Sequence, residues 1–127
     1  MNRVFICPSN IKSKSEILIT GSKSESNRLL IINALYGNIE LLNLSNSDDT
    51  KVLVKSLSNL NDHIDIHDAG TAMRFLTAFL AQIKNREFII TGSARMQERP
   101  IGILVNSLNE LGFEVRYLEK KGFPPLK

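Results

Sequence analysis

Charged and hydroxyl side chains cluster at the start of one predicted helix, where positions 21–28 have the sequence GSKSESNR. Helix N termini attract anions through their free N–H groups and the positive end of the helix dipole. Ser24 and Arg28 are four residues apart and therefore share a helix face. Lys23 lies on the first turn, where its ammonium can reach a phosphate or carboxylate. The cluster predicts an anion site, with an exposed N-cap and solvated charges as the alternative.

Two later segments could supply further contacts with an anion. Asp68 can cap a helix, and Gly70 would allow a ligand to approach the backbone closely. Arg74 falls in a helix that is apolar around most of its circumference, so we expect it to be buried in an ion pair or, alternatively, to contact a ligand. Arg99 could hold a carboxylate or phosphate through two nitrogens, and a solvated basic loop is the alternative for its segment.

Other kinds of site are weakly supported. The phosphate-binding loop of many nucleotide-binding proteins has a glycine directly before its lysine, and Ser22 occupies that position. His63, Asp65 and His67 alternate along one strand, but a polar, solvent-facing strand is favoured over a metal site because a convincing fourth ligand is missing. Cys7, the only cysteine, cannot form an internal disulfide and is not expected to be a nucleophile.

The elements that must position these residues follow from the hydrophobic pattern. Short β-branched runs alternate with longer helical patterns, which predicts an α/β chain. Helices are predicted over 22–36, 47–60, 71–83 and 100–111, and strands over 3–7, 16–20, 38–43, 63–67, 86–91 and 113–118. The tetrapeptide Ile-Thr-Gly-Ser occurs at 19–22 and again at 90–93, each time between a strand and a helix. This repetition indicates a duplicated unit of strands and helices.

Composition limits the function classes. The 127 residues suit one compact domain, and the net charge of +3 favours anionic partners. No apolar run reaches the ~20 residues of a membrane span, and the first residues do not resemble a signal peptide. Together with the single cysteine, these features predict a cytoplasmic protein. Composition alone leaves both nucleic acids and small phosphorylated metabolites open as partners.

Four segments together resemble the N-terminal signatures of 5-enolpyruvylshikimate-3-phosphate (EPSP) synthases. They are GSKSESNR at 21–28, SDD at 47–49, DAGTAMR at 68–74 and RMQERPIG at 95–102, and they occur in the family's order. UDP-N-acetylglucosamine enolpyruvyl transferases share the fold but lack the pattern of Ser24, Asn27 and Arg28, and they are the alternative within the superfamily. Two departures from the family pattern are Asp68, where asparagine is common, and Phe75, where many members have proline or leucine.

The resemblance implies transfer of the enolpyruvyl group of phosphoenolpyruvate to the 5-hydroxyl of shikimate 3-phosphate, with release of phosphate, in aromatic amino-acid biosynthesis. It implies no metal and no organic cofactor. Carried over by motif, Lys23 would be catalytic and would contact both substrates. Ser24 and Arg28 would bind shikimate 3-phosphate, and Gly70 and Arg99 would bind phosphoenolpyruvate.

The resemblance also implies a fold of repeated β-α-β-α-β-β units in two domains, incomplete here, where alternation alone would have suggested an ordinary parallel sheet. Residues 1–20 are expected to be leading strands that belong to the other domain, and residues 21–127 to be part of the N-terminal substrate-binding domain. The family's acid/base carboxylates lie later in a much longer chain, so this chain is expected to be truncated and inactive alone.

The expected partners are the two small substrates, without nucleic acid or membrane. Uncovered surface near residues 113–118 predicts self-association of the isolated chain. The alternative of a different class is a small basic nucleic-acid-binding module, which would interleave aromatic residues with Lys and Arg. Only Arg116-Tyr117 and the segment 120–123 approach that pattern.

Overall fold

A computed structural model describes residues 4–10 and 13–127 and shows a mixed helical and stranded chain. The helices are α1 (Lys23–Tyr36), α2 (Asp48–Ser58), α3 (Gly70–Leu80), α4 (Ala94–Gln97) and α5 (Gly102–Glu110), and the strands are β1 (His63–Asp65) and β2 (Ile89–Thr91). The four long helices lie where the sequence predicts them, and α4 is an additional short turn of helix. Among the described residues, no helix is long and apolar enough to cross a membrane.

Serine side chains begin the first two helices, as their spacing predicts. The amide of Glu25 donates to Ser22 Oγ at 3.4 Å, and the amide of Thr50 donates to Ser47 Oγ at 3.4 Å. These bonds satisfy amides that have no partner within the helix. Helix α1 ends at Gly37, whose φ of 70° lies in the left-handed region that glycine adopts without strain.

The two strands form a parallel pair in which Ile64 lies opposite Ile90. Leu126 makes isolated antiparallel bridges with Ile90 and with Tyr117, so the tail lies against β2. Helix α3 packs beside this pair, and its buried residues are the centre of the core. The least exposed large side chains are those of Leu53, Ile66, Met73, Leu76, Met96, Leu126, Val105, Asn27 and Thr50. The core therefore fixes the start of α3 relative to α2 and the sheet.

Several predicted strands are wrong. No strand forms at four of the predicted positions, which are 16–20, 38–43, most of 113–118 and the described residues 4–7 of the first predicted strand. Arg3, the first residue of that strand, lies outside the described residues. A β-branched run becomes a strand only when another backbone edge pairs with it along its length. Among the described residues, only the segment 113–118 is paired, over the few backbone bonds that Arg116 and Leu118 make with Lys127 and Pro125. In addition, Asn38 and Asn43, the first and last residues of the predicted strand at 38–43, have φ angles of 57° and 51°, which lie outside the range of a strand.

The tail packs more closely than its sequence predicts. Pro124, Pro125 and Leu126 are buried, and Leu126 is 1% exposed. The main chain of Leu126 both donates to and accepts from Ile90, at 3.0 and 2.9 Å. The tail thus covers one edge of β2 and also bonds with the backbone of Arg116 and Leu118, in the segment whose surface was predicted to be uncovered. Self-association remains a prediction.

Candidate anion-binding site

The first two turns of α1 place Lys23, Ser24 and Arg28 together. Arg28 Nη1 donates to Ser24 Oγ at 2.5 Å and to the Ser24 carbonyl at 2.8 Å. The two side chains therefore share a helix face, as their four-residue spacing predicts. Lys23 lies one residue earlier with half of its side chain exposed. These side chains form a basic and hydroxyl surface at the helix start, which we call the α1 patch (Lys23, Ser24 and Arg28).

The other face of the same helix turn is buried and polar. The amide of Ser45 donates to Ser26 Oγ at 2.9 Å, and Thr50 Oγ1 donates to Asn27 Oδ1 at 2.8 Å. Asn27 is fully buried, and its Nδ2 has no hydrogen-bond partner among the described residues. These bonds fix α1 to the start of α2. Neither contact is predicted from the residues, where Asn27 enters only as part of the family pattern, although two polar residues between Glu25 and an apolar run are a visible signal.

Asp49 connects the start of α1 with the start of α3. Its Oδ2 lies 3.9 Å from Lys23 Nζ, and its Oδ1 accepts a hydrogen bond from the Thr71 amide at 3.1 Å. The Asp49 side chain is 19% exposed, whereas Asp48 is 97% exposed and lies 3.6 Å from Lys51 Nζ. In the sequence this segment is predicted as a helix start and resembles a family signature. The structure adds that one of its carboxylates pairs with the lysine of the α1 patch.

Gly70 and Arg99, which the resemblance assigns to one ligand, are in contact. A Cβ at position 70 would lie 2.7 Å from Arg99 Cζ and 2.9 Å from Arg99 Nη2. The guanidinium therefore lies directly over the α-carbon of Gly70, which is the first residue of α3. Only glycine allows this close approach without movement of the arginine. We call this surface the α3 patch (Gly70 and Arg99).

The expected ion pair of Arg74 is wrong. Arg74 is half-buried and pairs with no carboxylate of the described residues. Its Nη1 donates to the carbonyl of Gly70 at 3.1 Å, and its Nη2 donates to the carbonyl of Pro100 at 2.9 Å. Two backbone carbonyls thus take the place of the expected carboxylate, because the segment after α4 folds back onto the start of α3.

The repeated tetrapeptide plays the same local part twice. Ser93, in the second copy, accepts from the amide of Met96 at 3.2 Å and begins α4, just as Ser22 begins α1. Ser93 Oγ also donates to Asp68 Oδ1 at 2.5 Å, and its amide donates to the carbonyl of His67 at 3.1 Å. The segment before α3 is therefore tied to the segment that leads to Arg99.

A side chain of α3 also supports the α1 patch. The guanidinium carbon of Arg28 lies 5.7 Å from the ring centroid of Phe75, within the range of a cation–π contact. Phe75 is one of the two departures from the family pattern noted in the sequence.

The alternative sites occupy exposed positions. His63, Asp65 and His67 are exposed while Ile64 and Ile66 between them are buried, which confirms the predicted solvent-facing strand edge. The His67 amide donates to Asp65 Oδ1 at 2.8 Å. Within residues 4–10 and 13–127, no three His, Cys, Asp or Glu side chains are grouped as metal ligands would be. Cys7 is exposed.

Comparison with known proteins gives consistent results. Residues 55–127 match the sequence model of EPSP synthase (3-phosphoshikimate 1-carboxyvinyltransferase). The chain is 52% identical to the 3-phosphoshikimate 1-carboxyvinyltransferase of Bacteroides fragilis strain YCH46 over its whole length, and 38% identical to that of Vibrio vulnificus over 91% of its length. It covers 30% and 33% of these relatives, so it spans about a third of their length.

The fold is also similar to that of a solved protein. A structure of EPSP synthase from Acinetobacter baumannii superposes with a TM-score of 0.71 at 18% sequence identity. The superposition covers 87% of this chain and 30% of that one. The described helices and strands therefore form part of an enolpyruvyl transferase fold.

Proposed function

Because the chain belongs to the EPSP synthase family, we propose that it takes part in enolpyruvyl transfer from phosphoenolpyruvate to the 5-hydroxyl of shikimate 3-phosphate, with release of phosphate. The relatives from Bacteroides fragilis and Vibrio vulnificus, named for this reaction, support the proposal. The chain contributes a surface that binds both substrates. A cytoplasmic location is part of the same proposal.

The contact between Arg99 and Gly70 carries this proposal. An exposed guanidinium placed over a glycine at a helix start presents its N–H donors to one small ligand. Phosphoenolpyruvate carries a carboxylate and a phosphate, which a planar guanidinium can bind through paired hydrogen bonds. We therefore assign phosphoenolpyruvate to the α3 patch.

Shikimate 3-phosphate is assigned to the α1 patch. Ser24 and Arg28 are already hydrogen-bonded to each other, so a phosphate would meet a hydroxyl and a guanidinium in a fixed arrangement. The half-exposed ammonium of Lys23 lies beside them and, through Asp49, beside the start of α3. Lys23 is thereby available to both substrates.

The proposed catalytic role of Lys23 is electrostatic. Charge redistributes when the methylene carbon of phosphoenolpyruvate is protonated and the neighbouring carbon is attacked by the 5-hydroxyl. A fixed ammonium between the two anions reduces their mutual repulsion and stabilises the charge that develops. Proton transfer itself belongs to other groups in this proposal.

The domain assignment is proposed on the same basis. Residues 21–127 form part of the N-terminal substrate-binding domain, and residues 1–20 belong to the other domain. Ile17, Leu18 and Ile19 are 78%, 99% and 75% exposed, as expected for apolar residues whose cover lies outside the described residues.

A titration of the 127-residue chain with shikimate 3-phosphate, followed through backbone amide shifts, tests the assignment. The largest shifts are expected over residues 22–26. Arg28→Ala should weaken binding more than Lys121→Ala, which removes an equal charge from the exposed tail. Affinity will be low, because each solvent-exposed charge contact contributes about 1 kcal/mol. Equal weakening by both variants, or shifts concentrated at 63–67, would reject the proposed site in favour of a diffuse basic surface.

A further inference from the structure

We propose that Arg74 and Asp68 are positioning residues that hold Arg99 over Gly70, and that they act on the phosphoenolpyruvate half of the site alone. The inference rests on the proposed function, which it deepens by separating residues that bind from residues that place them. In this proposal neither side chain contacts a substrate.

The first tie runs from α3 to the residue that follows Arg99. Arg74 donates to the carbonyl of Pro100 at 2.9 Å and to the carbonyl of Gly70 at 3.1 Å. One guanidinium therefore bridges the backbone on both sides of the Arg99–Gly70 contact. The two acceptors are bonded by separate nitrogens of one planar fork, whereas a lysine ammonium is a compact point charge on a flexible stem.

The second tie lies at the other end of the same segment. Ser93 Oγ donates to Asp68 Oδ1, and the Ser93 amide donates to the carbonyl of His67. The segment that carries Arg99 is thus fastened to the start of α3 before α4 and again after it. The backbone of Arg99 lies between these two ties, which fix the point from which its side chain reaches Gly70.

The α1 patch has neither tie. Arg28 is held by Ser24 within its own helix, and its contact with α3 is made through Phe75. Loss of either tie should consequently change the binding of phosphoenolpyruvate and leave the binding of shikimate 3-phosphate unchanged. A loss of general stability would weaken both ligands alike, so the ratio of the two affinities separates positioning from structure.

The test compares separate titrations of the 127-residue chain with phosphoenolpyruvate and with shikimate 3-phosphate. Arg74→Lys keeps the charge and should weaken phosphoenolpyruvate binding about fivefold, with shikimate 3-phosphate within about twofold. Arg95→Lys, at an exposed arginine of α4, is the matched control and should change neither. In an Arg99→Met background, Arg74→Lys should have no further effect, because the residue it positions is gone.

Asp68 provides a second test that leaves the core untouched. Asp68→Asn and Asp68→Ala both remove the charge, but only asparagine keeps an oxygen that can accept from Ser93. Phosphoenolpyruvate should bind about threefold more weakly to the alanine variant than to the asparagine variant.

The outcomes separate the inference from the proposed function. If the unmodified chain binds neither ligand, the proposed function fails and the inference fails with it. If it binds both, the inference alone is overturned by equal weakening of the two ligands in Arg74→Lys, by no weakening, by an undiminished effect in the Arg99→Met background, or by equal affinities of the two Asp68 variants. Should Arg74→Lys not fold, the Asp68 pair decides.

Discussion

The α1 patch and the α3 patch each present an exposed arginine, but the two arginines are held by contacts of different range. Arg28 is bonded to Ser24, four residues earlier in the same helix. Arg99 lies on Gly70, and its segment is tied to α3 by bonds that span 25 and 26 residues. The α1 patch lies on one helix start, so it requires only that α1 is folded. The α3 patch joins distant segments and therefore exists only after the core has assembled.

A substitution at the link between α1 and α2 tests whether the α1 patch is local. Asn27→Ala removes the acceptor of the buried Thr50 hydroxyl and should lower the free energy of unfolding by about 1–3 kcal/mol. If the α1 patch is local, shikimate 3-phosphate should still shift the amides of 22–26 in whatever fraction remains folded. Urea titration gives the stability and amide shifts give the binding; a folded variant without those shifts would show that the patch is not local. Ser58→Ala, at an exposed hydroxyl of α2, is the control and should change stability little.

The α3 patch should be damaged without loss of stability by Gly70→Ala. The new methyl group would displace the flexible end of Arg99, which costs little in folding but removes the guanidinium from its place. We expect phosphoenolpyruvate binding to weaken roughly tenfold, with shikimate 3-phosphate unaffected. Gly102→Ala is the control, since a Cβ there would lie no closer than 3.5 Å to its nearest neighbour and should leave both affinities unchanged. A tenfold loss for both ligands would contradict the separation of the patches.

The connection between the patches should be weakened by Asp49→Ala. This change removes the acceptor of the Thr71 amide and the carboxylate beside Lys23, and it should cost about 1 kcal/mol in unfolding free energy. Asp48→Ala removes an equal charge from an exposed neighbour and should stay within about 0.5 kcal/mol of the unmodified chain. Thermal or urea denaturation measures both. Equal losses would mean that Asp49 does not link the two helices.

The smallest effect is expected at Phe75, where α3 meets the α1 patch. Phe75→Leu keeps an apolar side chain of similar size but removes the ring near Arg28. Exposed cation–π contacts contribute about 0.5–1 kcal/mol, so shikimate 3-phosphate should bind roughly two- to fivefold more weakly. Phosphoenolpyruvate affinity serves as the internal control and should not change. In an Arg28→Met background the substitution should have no effect on either ligand.

Local signals in the sequence predicted the local parts of the structure. Ser22 and Ser47 were recognisable as helix starts because the capping bond is made within three residues. The Ser24–Arg28 pair followed from helical periodicity alone. The contact of Gly70 with Arg99 could be expected only from the family resemblance, since no spacing rule connects residues so distant in the chain.

The incorrect predictions from the sequence have a common physical cause. The strands predicted at 16–20 and 38–43 are absent because a strand depends on a paired neighbour, which the sequence of one segment does not encode. Arg74 was expected to pair with a carboxylate, but it donates to the carbonyls of Gly70 and Pro100, which the path of a loop brings together. Asp49 and Asn27 were missed for the same reason, because their partners are set by the packing of helices.

The bridge between Leu126 and Ile90 can form only late in synthesis of the chain. Ile90 leaves the ribosome well before Leu126, so one edge of β2 has no backbone partner until the tail follows. An open edge is a template for pairing with other nascent chains. The arrival of the tail closes that edge, and Leu126 then lies between Ile90 and Tyr117. Backbone bonds of Lys127 with Arg116 and of Pro125 with Leu118 occupy the other edge of the tail. The pairing therefore joins three segments that leave the ribosome at different times.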